Sequence, residues 1–414
     1  MSSLKNYAIV TASYWGFTVT DGALRMLVLL HFHALGFTPL DLAFLFLLYE
    51  AMGIVTNFFG GWIGARFGLR LTLFTGLLTQ IISLCLLAAL PDNLTLTLSV
   101  VYVMGAQALS GVAKDLTKMS SKSAIKHVVP EGQPGGLFKW VSLLTGSKNA
   151  LKGVGFFVGG FLLNAIGFEP SLLTMAAALL VILLFALLSL REEIGKATSK
   201  IRGKDLFSKS ANVNYLSAAR VFLFASRDVW FVVGVPVFLA GTLGWNFNEV
   251  GSFMAFWVIG YGIVQASVPS VLRNTKTSAK AIRATIIWGF ILCLLPLHIA
   301  AGMTDGGAAF ITENLSHLDQ GSWLIGGLII FGAVFAVNSA LHSYLIVDFS
   351  GADKVSLNIG FYYMSNAFGR LAGTLLSGLV YQYYGLTACL VVSAAMIAAA
   401  VLLTLPLRQE TRHE

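Results

Sequence analysis

Eight charged residues lie deep inside stretches that are otherwise apolar: Arg25, Lys148, Lys152, Arg227 and Arg370, against Asp21, Glu50 and Asp228. An ionised side chain in such a setting is costly, so each marks a partner, a water-filled path or a ligand. The surplus of cations favours an anionic ligand. The chemistry fits a phosphate or carboxylate, because a guanidinium fork grips such groups through two hydrogen bonds while a lysine adds a mobile point charge. Asp21 and Arg25 are four residues apart and share a helix face, as do Lys148 and Lys152. The first spacing suits an internal ion pair as well as a binding site. The second brings like charges together and calls for an anion from outside, either carboxylates of neighbouring helices or a ligand.

Tyr14, Asn149, Asn338, Tyr362 and Asn366 join these charges as candidate substrate contacts, although each could equally cap a local hydrogen bond. Asp21, Glu50 and His342 are the candidate proton carriers, since modest changes of surroundings alter the charge of a carboxyl or an imidazole. Glu50 has the alternative of pairing with a lysine. Lys114, Asp115, Lys118, Lys122 and Lys126 recur every few residues. They read as a helix running past the membrane with a basic stripe, whose simplest role is to hold topology and whose alternative is to gather anions. Cys85, Cys293 and Cys389 sit singly in apolar surroundings, so neither a disulfide nor a thiol metal site is expected. No nucleotide loop, metal-ligand cluster or nucleophilic triad is found, so no cofactor, no metal and no enzymatic activity are predicted.

The elements that must position these residues are membrane spans. The 414 residues are 57% hydrophobic and 11% charged, with a mean hydropathy of +0.79, outside the range of a soluble domain. Apolar runs of the length needed to cross a bilayer recur along the whole chain. Twelve are predicted, at 7–32, 40–64, 70–90, 95–116, 136–165, 169–190, 214–240, 247–270, 281–302, 322–347, 354–384 and 386–406. Lys and Arg fall at the termini and in the even-to-odd loops. The odd-to-even loops carry Asp92, Glu169, Glu249, Asp305, Glu313 and Asp319 instead. Positive charge is retained in the cytoplasm during insertion, so both termini are expected there. The net charge of +8 follows from that topology and needs no nucleic acid.

The basic stretch 191–213 divides the chain into a six-helix half at 1–190 and another at 214–414. Internal similarity supports the division. Leu35-Gly36-Phe37 is echoed by Leu243-Gly244-Trp245. Lys152, Gly155, Gly160 and Gly167 align, at an offset of 218, with Arg370, Gly373, Gly378 and Gly385. Glycines at such spacing indicate close helix packing, and the alignment also sets base on base.

The turn at 61–70 resembles the motif G-x-x-x-D-R-x-G-R-R of the major facilitator superfamily. Gly61, Arg66, Gly68 and Arg70 agree, while Ala65 stands where the family has aspartate. The resemblance implies an all-α fold of twelve transmembrane helices in two pseudo-symmetric halves, a gating role for the motif, and a monomer. The strings YWGFTVTDGALRMLVLLHFH (14–33), GIVTNFFGGWIGARFGL (53–69), AQALSGVAKDLTKMSSKS (106–123) and LFKWVSLLTGSKNALKGVGFFVGG (137–160) are similar to the organoarsenical efflux permeases of arsenic-resistance operons. That likeness implies export of 1-arseno-3-phosphoglycerate, formed when a glyceraldehyde-3-phosphate dehydrogenase uses arsenate in place of phosphate. An organophosphate uptake or exchange carrier of the same superfamily would suit the cationic interior equally.

Overall fold

The computed structural model describes residues 2–67, 69–91, 93–125, 134–190, 210–271, 278–314, 319–349 and 355–408, and these are almost wholly α-helical. In chain order the helices are α1 (Ser2–Ala34), α2 (Pro39–Leu45), α3 (Leu47–Phe67), α4 (Leu69–Ala88), α5 (Leu96–Ile125), α6 (Pro134–Ile166) and α7 (Phe168–Ser189). After the central basic stretch come α8 (Ala211–Phe231), α9 (Gly234–Gly241), α10 (Phe247–Val271), α11 (Ser278–Gly302), α12 (Asp305–Asn314), α13 (Gln320–Asp348) and α14 (Val355–Thr404).

Ten segments of the described residues are long and apolar enough to cross a membrane. The last of them, Gly360–Thr404, turns back at Gly385 and so forms two spans. The twelfth is α1, 33 residues long, whose Asp21 and Arg25 reduce its apolar character. The chain is thus a multi-pass membrane protein. Its outward faces agree, since Val181, Leu188 and Phe256 are exposed apolar residues that suit lipid contact.

The predicted span boundaries need three corrections. Span 2 is interrupted at Phe46, which divides it into α2 and α3. Span 7 is interrupted at Val232 and Val233, which divide it into α8 and α9. Spans 11 and 12 need none, since they meet at Gly385 alone, where their predicted limits divide them. The short helix α12 occupies the connection between spans 9 and 10, where none was expected.

The contacts gather into two units. The first holds Met1–Gly36, Phe44–Gly203 and Asn246–Gly262; the second holds Phe37–Ala43, Lys204–Trp245 and Ile263–Glu414. In the first unit α1 packs along α6, and the start of α10 also lies on α6, with Gly160 against the Phe247 carbonyl. In the second, α8 packs along α14, and the start of α2 joins α14, where the Leu40 amide donates to Gln382.

The same crossing is built twice. Gly155 of α6 meets the Val19 carbonyl of α1, and Gly373 of α14 meets the Ala225 carbonyl of α8. Each approach is too close for a side chain. The backbone repeats as well: Gly167 has φ 82 and ψ −175, and Gly385 has φ 74 and ψ −174. Side chains exclude that conformation, and glycine adopts it freely. Gly36 and Gly244, the other aligned pair, have φ 84 and 70.

Candidate functional site

In the first unit the glycine crossing brings α1 close enough to α6 for side-chain pairing. Lys152 Nζ lies 3.8 Å from Asp21 Oδ2, while the Tyr49 hydroxyl donates to Asp21 Oδ1 at 2.5 Å. Arg25 does not turn back to Asp21. Its Nη2 pairs instead with Glu50 of α3 at 2.7 Å, with both side chains buried. Glu50 therefore holds an arginine of the first helix. The Tyr49 ring connects the two pairs, with Arg25 Cζ at 5.6 Å and Lys114 Nζ at 4.0 Å from its centroid. Arg25, Lys114 and Lys152 thus surround Asp21 and Glu50, and the cluster keeps a surplus of positive charge.

The second unit repeats the plan. Arg370 Nε lies 3.6 Å from Asp228 Oδ2, and Arg227 engages Asp228 Oδ1 through Nε at 2.6 Å and Nη2 at 2.5 Å. The carboxylate is fully buried between two arginines. The aligned bases Lys152 and Arg370 therefore have the same job, each meeting an aspartate of the facing helix beside a repeated glycine. Aromatic rings support Arg227, whose Cζ lies 5.0 Å from the Phe224 centroid and 5.6 Å from that of Phe335.

The remaining candidates fall in several places. Tyr14 is buried in α1, and Lys148 and Asn149 are half-buried on α6, one turn before Lys152. Asn338 is occupied by structure, donating to the Thr285 carbonyl at 3.0 Å. Asn366 and Tyr362 gather at Arg220, which is not among the eight charges singled out from sequence. Arg220 Nε donates to Asn366 at 3.0 Å, Nη1 donates to the Ser339 carbonyl at 3.1 Å, and Cζ sits 4.9 Å from the Tyr362 centroid. His342 is buried on α13, one turn beyond Ser339.

The basic stripe also needs correction. α5 does run on to Ile125, as expected. Asp115 nevertheless faces inward, fully buried, accepting from Thr56 at 2.5 Å and pairing with Lys118 at 2.6 Å. Lys118 also donates to Asn57 at 2.7 Å, so these charges fasten α5 to α3 and do not form a solvated face. Of the gating motif, Gly68 lies outside the described residues, and Gly61 and Arg66 are placed only as part of α3. Arg70 opens α4 with its guanidinium 5.3 Å from the Phe74 centroid. Lys122 is described only in its backbone, and Lys126 lies outside the described residues.

This arrangement is a helical membrane protein with paired acids and bases buried at two equivalent helix crossings. The sequence model of the Major Facilitator Superfamily matches residues 8–312. The chain belongs to that superfamily. Among solved structures, this major facilitator protein is similar to a POT family transporter in complex with a thioalcohol-conjugated peptide. The TM-score is 0.69 at 15% identity, over 96% of this chain and 94% of that one. It is equally similar to a mutant of the nucleoside transporter NupG, with TM-score 0.69 and 15% identity over 98% of both chains. At that identity the likeness concerns the fold. No curated protein sequence matches the chain.

Proposed function

We propose that this major facilitator protein is a secondary active transporter that exports 1-arseno-3-phosphoglycerate from the cytoplasm by alternating access, and so confers resistance to arsenate. The observation that carries the anionic substrate is the charge balance at the two crossings. Asp21 and Glu50 face Arg25, Lys114 and Lys152, and Asp228 faces both Arg227 and Arg370. The substrate-binding set is Arg25, Lys148, Lys152, Arg227 and Arg370, with Tyr14, Asn149, Asn338, Tyr362 and Asn366 as lesser contributors. The organoarsenical character rests on the sequence strings quoted above. The protein acts as a monomer in a bacterial inner membrane with both termini in the cytoplasm. Its functional partner is a glyceraldehyde-3-phosphate dehydrogenase that supplies the arseno-ester.

Substrate anions and the buried carboxylates compete for the same cations, which supports proton coupling through Asp21 or Glu50. Protonating an acid frees its base, and releasing the proton restores the pair. His342 is the third proton-coupling candidate.

Everted membrane vesicles test both parts. The arseno-ester and ordinary organophosphates are offered in turn, with and without a proton gradient, and arsenic and phosphorus uptake are followed. Accumulation of arsenic from the arseno-ester is expected. Uptake of the ordinary esters alone would replace this reading with an organophosphate carrier. Gradient-driven uptake that persists in both Glu50→Gln and Asp21→Asn would remove these residues as proton carriers.

A further inference from the structure

Arg220 differs from the other deeply buried cations of the second unit. It is 5% exposed, yet among the described residues no carboxylate lies within ion-pair reach of it. Its two hydrogen bonds use Nε and Nη1, on Asn366 and the Ser339 carbonyl, and both acceptors are neutral. A guanidinium has five N–H donors, so the Nη2 edge remains for another acceptor. His342 lies one turn beyond Ser339, whose carbonyl Arg220 holds, and is 1% exposed with Nδ1 lacking any hydrogen-bond partner. A buried charge without a counter-ion and a buried imidazole nitrogen without a partner are both expensive. One small oxyanion would relieve both.

The position of this group on α8 adds the second half of the argument. Arg220 and Arg227 are seven residues apart, two turns along one face. Both guanidiniums lie against the same ring, with Cζ 4.0 Å and 5.0 Å from the Phe224 centroid. On α14, Asn366 and Arg370 are one turn apart and meet these two levels in the same order. The pair of helices therefore presents two cationic rungs. The upper rung, Arg227 with Arg370, has two cations about one carboxylate. The lower rung, Arg220 with His342 and Asn366, has none.

We propose that Arg220 and His342 form a second oxyanion site, so that this helix pair binds a small molecule with two anionic groups separated by a short carbon chain. A phosphate sits at Arg227 and Arg370, which offer two cations to a doubly charged group. A carboxylate or a second oxyanion sits on the free edge of Arg220. This rests on the reading above that Arg227 and Arg370 take an anion, and it names the chemistry of the substrate's other end.

The test uses purified full-length protein and two probes sharing one phosphate and one three-carbon frame. 3-Phosphoglycerate carries a terminal carboxylate, and glycerol 3-phosphate carries a hydroxyl there. Wild-type protein is expected to bind the first about tenfold more tightly or better, as one charged hydrogen-bonded contact provides. Arg220→Gln should bring the two probes within about twofold, leaving glycerol 3-phosphate where it was. Arg227→Gln should weaken both. Equal loss of both probes in Arg220→Gln, or no loss of either, would overturn the second site. Unchanged binding of both probes in Arg227→Gln and Arg370→Gln would instead sink the anion reading of the upper rung. Should Arg220→Gln fail to give monodisperse protein, His342→Gln carries the same comparison. It is expected to weaken 3-phosphoglycerate alone, and wild-type discrimination in that variant would overturn the proposal.

Discussion

Arg25 and Glu50 are held 2.7 Å apart and are both buried, so removing one leaves its partner charged and without compensation. Such a loss costs about 3–5 kcal/mol, whereas removing both partners is often close to neutral. Glu50→Gln should therefore lower the melting temperature of the purified protein, and Arg25→Gln combined with Glu50→Gln should recover much of the loss. Additive destabilisation in the double variant would show that the two side chains do not depend on each other. Lys152 and Arg370 make a different prediction, because their aspartate contacts are long, at 3.8 and 3.6 Å, and can yield to a ligand. Lys152→Gln or Arg370→Gln should weaken substrate binding tenfold to more than a hundredfold, which corresponds to about 1.5–3 kcal/mol. Arg370→Lys should be nearly as harmful, since Arg227 already supplies charge and the planar fork is what lysine lacks. Wild-type affinity in all three variants, with melting temperature measured alongside, would make these charges structural.

At the scale of the helix, Gly155 and Gly373 decide how near α1 and α8 approach their neighbours. A methyl group at Gly155 would stand 2.3 Å from the Val19 carbonyl oxygen, and at Gly373 it would stand 2.7 Å from Asp228 Cβ. Overpacking of this kind costs about 1–3 kcal/mol. Gly155→Ala and Gly373→Ala should each lower the melting temperature and also weaken binding, because the aspartate and its base are moved apart together with the backbones. Unchanged stability and affinity would show that the crossing adjusts. Much of this was legible in sequence. The offset of 218 aligned Gly155 with Gly373, Gly167 with Gly385 and Lys152 with Arg370, because a helix crossing and a sharp reversal each demand glycine. The partners were not legible, since Arg25 can reach Asp21 along its own helix as readily as Glu50 across space. The breaks at Phe46 and Val232 were hidden by unbroken apolar sequence. Arg220 was not legible as a site residue, because a cation near the end of a span is ordinarily explained by topology.

For the whole molecule, cells carrying this chain should resist arsenate only when a dehydrogenase that makes the arseno-ester is also present, and should remain sensitive to arsenite. The measurement is growth across both oxyanions with each gene alone and together. Protection against arsenite without protection against arsenate would end the organoarsenical assignment. The mechanics of such a transport cycle are constrained by Gly167 and Gly385. Each is a single reversing residue between two long helices, with Ile166 ending one helix and Phe168 opening the next, and Gly385 joining the two arms of α14. A link of one residue leaves no slack. The stretches 134–189 and 355–404 must therefore each travel as one stiff hairpin, and a rearrangement that slides one arm past the other would tear the joint. Compliance is to be sought where a span is already cut, at Phe46 and at Val232 and Val233, which makes those two interruptions the natural elbows of the machine.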